Sequence, residues 1–259
     1  MTLFLSGCPL WIMVILLVVL PTIATSWILV LVRRWVGLER LNINNEVAGF
    51  KFAVIGVIYA VLLAFAVIVV WGRFSDAELT VVKEAGAAAT LYRLASGPEP
   101  EEVATRAALS RYLRLAIDKD WPRMAVESES SDATVALNDV YAAALLVAQK
   151  GTRPYPVISE MFTQLDSVTA ARRARLHLAL GIVPVVLWEV LIVGGLLTVG
   201  FTYFFGTENL HAQVAMTGVL ATIVFMSLFV IVSIDHPFTG PVHVDSQPLR
   251  LVLDNFSEH

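Results

Sequence analysis

Apolar residues gather into four stretches along the chain, Leu10 to Val32, Phe52 to Gly72, Leu178 to Thr207 and Ala212 to Ile234, whose only charged side chain is Glu189. Each supplies the ~20 residues, at ~1.5 Å rise, that a helix needs to cross a bilayer core. Between the second and the third the pattern turns polar. The distribution predicts an all-α polytopic membrane protein with four transmembrane helices in two pairs flanking a helical extra-membrane insert. The first pair occupies 1–72, with spans at about 10–32 and 48–72, and the insert 73–176. The second pair occupies 177–236, with spans at about 178–206 and 212–235, and 237–259 form a C-terminal tail.

Within the insert the period is helical. No proline interrupts Asn45 to Ser96, and Val82, Ala85, Ala89 and Tyr92 recur on one face. The second span is therefore expected to run on beyond the membrane as one helix of ~50 residues, ~75 Å long, stopped by Gly97-Pro98-Glu99-Pro100. Two amphipathic segments follow: Glu101 to about Met124, with Leu109, Tyr112, Leu113, Ala116 and Ile117 apolar, and Asp132 to Gln149, with Leu137, Tyr141, Leu145 and Ala148. A last one begins near Pro154, buries Val157, Met161, Leu165 and Val168, and is expected to flow through Arg172-Arg173-Ala174-Arg175 into the third span. The insert is then four helices, two of them extensions of transmembrane helices.

Composition agrees, at 57% hydrophobic and 15% charged with a mean hydropathy of +0.73. A net charge of −4 and the lack of any basic run argue against nucleic acid as a partner, because phosphate binding needs clustered Lys and Arg. Between Gly72 and His177, 13 basic residues balance 14 acidic ones, which reads as solvated helix faces joined by ion pairs. The single cysteine, Cys8, has no partner for an intrachain disulfide. Leu5-Ser6-Gly7-Cys8 looks like a lipoprotein processing box, but only seven residues precede the cysteine, too few for an apolar leader, so the first span reads as a retained helix.

Orientation draws opposite votes from the positive-inside rule. Arg33, Arg34 and Arg40 place the first short loop in the cytoplasm, whereas Arg73, Lys83, Arg172, Arg173 and Arg175 place the insert there.

An ionisable group in a bilayer costs at least ~2.5 kcal/mol at mid-depth, which makes Glu189 the first candidate for function, as part of an ion pathway or a proton sensor. The plain alternative is a protonated acid hydrogen-bonded to a neighbouring helix. Pro184 just before it predicts a kink that frees the Leu180 carbonyl. Alternating helix direction brings Arg73, Asp235 and His236 to one membrane face, where they either ring a mouth or serve as interfacial anchors, with Pro237 ending the helix. Lys51, at the opposite face, snorkels to water. The second span carries two adjacent stripes. Gly49, Ala53, Gly56, Ala60 and Ala64 form a small-residue helix-packing seam, while Phe52, Gly56, Tyr59 and Leu63 are candidates for an apolar pore constriction that gates by dewetting. Packing of both stripes within one subunit fits the spacing equally well. No Cys/His constellation, His-x-x-x-His pair, Gly-x-Ser-x-Gly or phosphate-binding Gly loop is found, so no metal, no cofactor and no enzymatic activity are assigned.

Over Asn45 to Leu253 the chain resembles the bacterial bestrophin-like domain family. The likeness rests on Asn45-Glu46-Val47-Ala48-Gly49, Gly56-Val57-Ile58-Tyr59-Ala60, Leu63-Ala64-Phe65, Trp71-Gly72-Arg73-Phe74, Glu84-Ala85, Leu91-Tyr92-Arg93, Trp121, Arg172 to Arg175, Trp188 and Asp235-His236-Pro237-Phe238-Thr239-Gly240. The resemblance implies likeness to bestrophins, pentameric anion channels whose second helix lines a narrow apolar neck, and Phe52, Gly56, Tyr59 and Trp71 look loosely like that helix. It also implies a homo-oligomer in a bacterial inner membrane, with the insert and both termini cytoplasmic. The acidic calcium-clasp run and the Arg-Phe-Pro segment of the animal proteins are not found, so calcium gating is not carried over. An acid such as Glu189 near a pore favours cations rather than anions.

Three functions follow. The leading one is an oligomeric ion channel embedded in the lipid bilayer and handling inorganic ions, with the second helix lining the pathway and Glu189 setting charge or pH response. A non-conducting scaffold or sensor acting through its helical insert is the rival, and a proton-coupled transporter using Glu189 is a third reading to which no inverted repeat lends support.

Overall fold

The computed structural model describes residues 9–42, 45–151, 153–181 and 183–257, so Cys8 and its processing-box pattern lie outside the described residues. All regular structure among those residues is helical. Among the described residues four helices are long and apolar enough to cross a membrane, and the chain is an all-α polytopic membrane protein.

It divides into two compact units. One holds the chain up to Gly72 together with Gly181–Asp235. Its first helix, α1 (Leu10–Val36), opens into a π turn over Ile15–Val19, two residues before Pro21. Proline has no N–H to donate and its ring crowds the carbonyl four residues back, and the wider turn absorbs that misfit. A short α2 (Leu38–Asn42) precedes α3 (Asn45–Leu94), a single unbroken helix of 50 residues, as the lack of proline predicts. The residues of α3 up to Gly72 pack with α8 (Val185–Phe201) and α9 (Leu210–Ile234) around Val18, Tyr59, Val199, Ala221, Val224 and Phe225. At one end of this unit polar groups are matched in pairs. Asn45 exchanges two hydrogen bonds with the Gly206 backbone, at 2.7 and 3.0 Å, and Arg33 donates to Gln213 Oε1 at 2.9 Å and to the Glu208 carbonyl at 3.0 Å.

The other unit holds Arg73–Leu180 and the chain from His236 onward. The C-terminal part of α3 packs here with α4 (Pro100–Leu115), α5 (Trp121–Met124), α6 (Ser131–Lys150) and α7 (Tyr155–Leu178). Proline again shapes a helix from within. A π turn over Ala116–Asp120 lies just before Trp121-Pro122 and turns Ala116, Ile117 and Asp120 inward. Leu109, Tyr112, Leu113, Ala116 and Ile117 are all buried, as their spacing implies. Residues 237–259, read as a tail, contribute an amphipathic helix, α10 (Gln247–Ser257), whose Phe256 stacks on Tyr92 with ring centroids 3.7 Å apart.

Three expectations change. The last insert helix does not flow into the third span: α7 ends at Leu178, and α8 starts at Val185 with Pro184 as its N-cap. Instead of kinking one long helix, Pro184 separates two, because proline disfavours helical backbone at the residue before it. Only one insert helix is therefore continuous with a span. The inward face of α3 beyond the membrane is set by Ala77, Val81, Glu84, Ala85, Ala88 and Leu91, so that of the predicted stripe Ala85 is buried, Ala89 and Tyr92 are half-buried and Val82 is exposed. On α6 the buried face runs through Ala133, Ala136, Leu137, Val140, Ala144 and Val147, and Leu145 points outward. In both helices alanine, which counts little in an amphipathic pattern, decides where helices approach closely.

Leu113 is fully buried between helices of the bundle. Replacing it by Ala is expected to cost about 2–5 kcal/mol through lost burial and the cavity left behind, visible as a lowered midpoint in thermal unfolding of the detergent-solubilised protein.

Candidate functional site

The stripe predicted as a constriction turns inward in the membrane unit. Tyr59 is buried, and its hydroxyl donates to the Leu191 carbonyl of α8 at 2.9 Å. Its ring lies against consecutive glycines. A Cβ on Gly194 would meet Tyr59 Cδ2 and Cε2 at 2.9 Å, and one on Gly195 would meet the hydroxyl at 2.7 Å. Phe52 stacks on Phe201 at 6.0 Å and meets Phe205 edge-on at 5.6 Å, and Leu63 packs on the core cluster. Within the single subunit Phe52, Tyr59 and Leu63 are thus packed inward, the alternative that the spacing left open beside an apolar constriction. Tyr59 is received by the paired glycines of α8, Phe52 by Phe201 of α8 and by Phe205 just beyond it, and Leu63 by the core cluster. Of the seam, Ala53, Ala60 and Ala64 are exposed in the subunit, beside exposed Val57, Phe65 and Ile68, whereas Gly49 and Gly56 are half-buried and a Cβ on Gly49 would lie 3.9 Å from Phe205.

The break before α8 alters the setting of Glu189. With the helix starting at Val185, this acid stands in the second turn, ~6 Å from the helix start, rather than eleven residues into a span. It is exposed, beside exposed Val185, Val186, Val190 and Val193, and no hydrogen bond or ion pair reaches it among the described residues. Asp235 does not stand free at a mouth. It is buried at the end of α9 and accepts a hydrogen bond from the Val183 N–H at 2.9 Å, joining the end of one span to the start of another. In the bundle unit, His236 is buried with Nε2 at 3.4 Å from Glu127 Oε1, and Glu127 holds a left-handed backbone conformation, φ 56°. Arg73 is exposed.

The site that charge counting missed lies in the core of the bundle unit. Arg175 of α7 is fully buried and binds Glu84 of α3 with two hydrogen bonds, Nε to Oε2 at 2.7 Å and Nη2 to Oε1 at 3.1 Å. Its guanidinium lies 4.6 Å from the Trp121 ring centroid and 3.5 Å from an Asp120 oxygen. Arg172, one turn earlier, binds Asp120 at 2.8 and 3.2 Å, and Tyr112 donates to Glu84 at 2.6 Å. The Ser130 N–H completes the coordination of Asp120 at 2.9 Å. Two cations and two anions cancel, and each carboxylate is forked or capped, the condition under which buried charge is tolerated. Burial opposes the charge on Arg175, yet Glu84, then Tyr112 and Asp120, hold its pKa above the ordinary arginine value. Burial, with Glu84 beside it, pushes the Tyr112 hydroxyl well above 10.0. The sequence signal was present in Arg172 and Arg175, three apart on one helix face, and in Glu84, a lone acid among alanines.

A second acid–base junction closes the start of α4. Glu102 accepts from Arg153 Nε at 2.5 Å and from the Glu99 N–H at 3.4 Å, and the same arginine reaches the Ser96 carbonyl. The hydrogen bond from Arg153 outweighs burial and holds the Glu102 carboxyl below its ordinary value of 4.5.

The Bestrophin-like domain family model matches residues 19–249. By fold, the chain is similar to a bacterial Bestrophin homolog from Klebsiella pneumoniae, with a TM-score of 0.69 and 16% identity over 95% of this chain and 96% of that one. A single-substitution form of that homolog gives 0.72 and 16% over 97% and 96%. A solved chain described as a membrane protein gives 0.70 and 18% over 95% and 96%. No curated protein matches by sequence.

Two outcomes test this chemistry. Arg175→Ala strands Glu84 and is expected to destabilise the protein by about 3–5 kcal/mol, whereas Arg175→Leu combined with Glu84→Leu loses less than the sum of the single changes, as a double-mutant cycle by thermal unfolding will show. Because the Glu102 pKa is lowered on folding, its contribution is present above the ordinary carboxylate value of 4.5 and is lost as pH falls through the depressed value. A pH titration of stability should therefore decline on the acid side, and Glu102→Gln should flatten part of that decline.

Proposed function

Because the chain belongs to the Bestrophin-like domain family, we propose that it is an oligomeric ion channel of the bacterial inner membrane, with the membrane part of α3 lining the pathway. The insert and both termini face the cytoplasm in this reading, and five subunits is the number that the resemblance to bestrophins suggests. The observation that carries the proposal is the open face of α3. Ala53, Val57, Ala60 and Ala64 of one subunit present an apolar, largely small-residue wall, suited both to close approach of neighbouring helices and to a hydrophobic constriction. Gly56, half-buried, stands at the edge of that face. Glu189, exposed and unpaired among the described residues, is the acid available to ions or to an adjoining subunit.

A scaffold or sensor without conduction is favoured by a different observation, the exposed Val126, Tyr155, Leu145 and Leu146 on the bundle unit, where a partner protein would bury them.

Purified protein reconstituted in a planar bilayer under a KCl gradient separates the two. Current reversing near the chloride or potassium equilibrium value is the expected result and names the sign of the ion. Silence across pH, from folded and oligomeric protein, would transfer the assignment to the sensor. Glu189→Gln is expected to move the reversal potential toward chloride, because it removes an acid that favours cations. In a Cys8→Ser background, Ala60→Cys is expected to form subunit–subunit disulfides under mild oxidation in membranes, and Leu63→Cys, turned inward, is expected not to.

A further inference from the structure

We propose that Tyr59 is the positioning residue of the conducting helix: seated in the notch at Gly194 and Gly195, it fixes the rotation of α3 about its own axis, and disturbing that seat shifts the balance between closed and conducting states. The inference rests on the channel reading above and deepens it.

The notch has a specific shape. A methyl group added to Gly194 would press on the ring at 2.9 Å, and one added to Gly195 would press on the hydroxyl oxygen at 2.7 Å, both closer than side chains tolerate. At these two positions the absence of a side chain is what lets α8 receive the tyrosine. The hydroxyl then has its acceptor in place, the Leu191 carbonyl at 2.9 Å. Leaving the notch would strip a phenol of its hydrogen bond among apolar side chains, which penalises intermediate positions and makes the seat a discrete state rather than a soft one.

The receiving helix is itself conditioned at this point. The Leu191 carbonyl takes the tyrosine hydroxyl in addition to its place in the helix, and the next turn has its Gly194 carbonyl engaged by the Thr198 hydroxyl at 2.7 Å. Side-chain donors on helical carbonyls promote bending, and two adjacent glycines add backbone freedom. Tyr59 thus sits where α8 yields most easily. On α3, Tyr59 and Ala60 are consecutive, ~100° apart around the helix. With Tyr59 seated inward, Ala53, Ala60 and Ala64 face outward. A rotation that unseats the ring carries those alanines off the open face and brings larger residues onto it, so the joint and the wall turn together.

The test is a set of substitutions read by single-channel recording of the reconstituted full-length protein. Tyr59→Phe keeps the ring and removes the hydrogen bond, and it should change the closed-to-open ratio about two- to tenfold, with unitary conductance and reversal potential unchanged. Gly195→Ala should change the ratio further. Adding Tyr59→Phe to Gly195→Ala should undo most of that change, because the atom met at 2.7 Å is gone and the next contacts, Val224 Cγ1 and Tyr59 Cζ, lie at 3.3 and 3.4 Å. Gly200→Ala on the same helix, where an added Cβ meets nothing within 4 Å, should leave the ratio unmoved. A merely structural role lowers the number of channels and leaves their open fraction alone, and that result would overturn the proposal. If Gly195→Ala fails to assemble, the Tyr59→Phe ratio decides, a change of less than twofold overturning it. A silent wild type overturns this inference together with the channel reading, whereas a conducting wild type with unmoved ratios overturns this inference alone.

Discussion

Polar groups withdrawn from water must be satisfied by the protein itself, and each unit of this structure is organised around where that happens. In the membrane unit the tyrosine hydroxyl at position 59 finds a backbone carbonyl, Asn45 clasps the Gly206 backbone, and Asp235 holds the Val183 N–H. In the bundle unit the demand is larger, since four ionised side chains share one interior. Glu84, Asp120, Arg172 and Arg175 come from α3, α7 and the π turn between α4 and α5, so the pairing that cancels their charge also specifies how those elements meet. A hydrophobic core alone tolerates sliding of one helix on another. A bidentate guanidinium–carboxylate pair does not, because a shift of one turn leaves a charge buried without its partner.

Residues that remove atoms or donors shape the remainder. Proline widens a helix into a π turn at Ile15–Val19 and again at Ala116–Asp120, and at Pro184 it separates α7 from α8. In the second of these places the π turn delivers Asp120 to Arg172 and sets Trp121 beneath the Arg175 guanidinium. Glycine acts by subtraction as well, and the paired glycines of α8 let an aromatic ring approach a helix backbone at a distance that any side chain would forbid.

Membership of the Bestrophin-like domain family was legible from scattered short motifs, and the structure gives several of them a physical role. Glu84, Trp121, Arg172 and Arg175 meet in the buried network, Tyr59 fills the glycine notch, and Phe238 packs edge-on against Trp121 at 5.8 Å. Their purpose was not legible. Glu84 and Arg175 are far apart in sequence, and a balanced tally of acids and bases does not distinguish pairs in solvent from pairs in a core. Which face of α3 meets α8 was left open for a related reason: spacing identifies stripes on a helix, but which stripe meets α8 depends on the shape of α8, and only Gly194 and Gly195 with their neighbours in place reveal it.

By itself the sequence determined the quantities that depend on local composition: the number of helices apolar enough to span, the unbroken length of α3 and the helical nature of the insert. These follow from apolar run length, helical period and the positions of proline, each of which acts within a few residues. Only the tertiary structure decided which polar residues are buried, that α8 begins at Val185 and so leaves Glu189 near a helix start, and which wall of α3 stays open. Those outcomes depend on partners distant in the chain. Burial and pairing are properties of two surfaces together, and no single segment carries both.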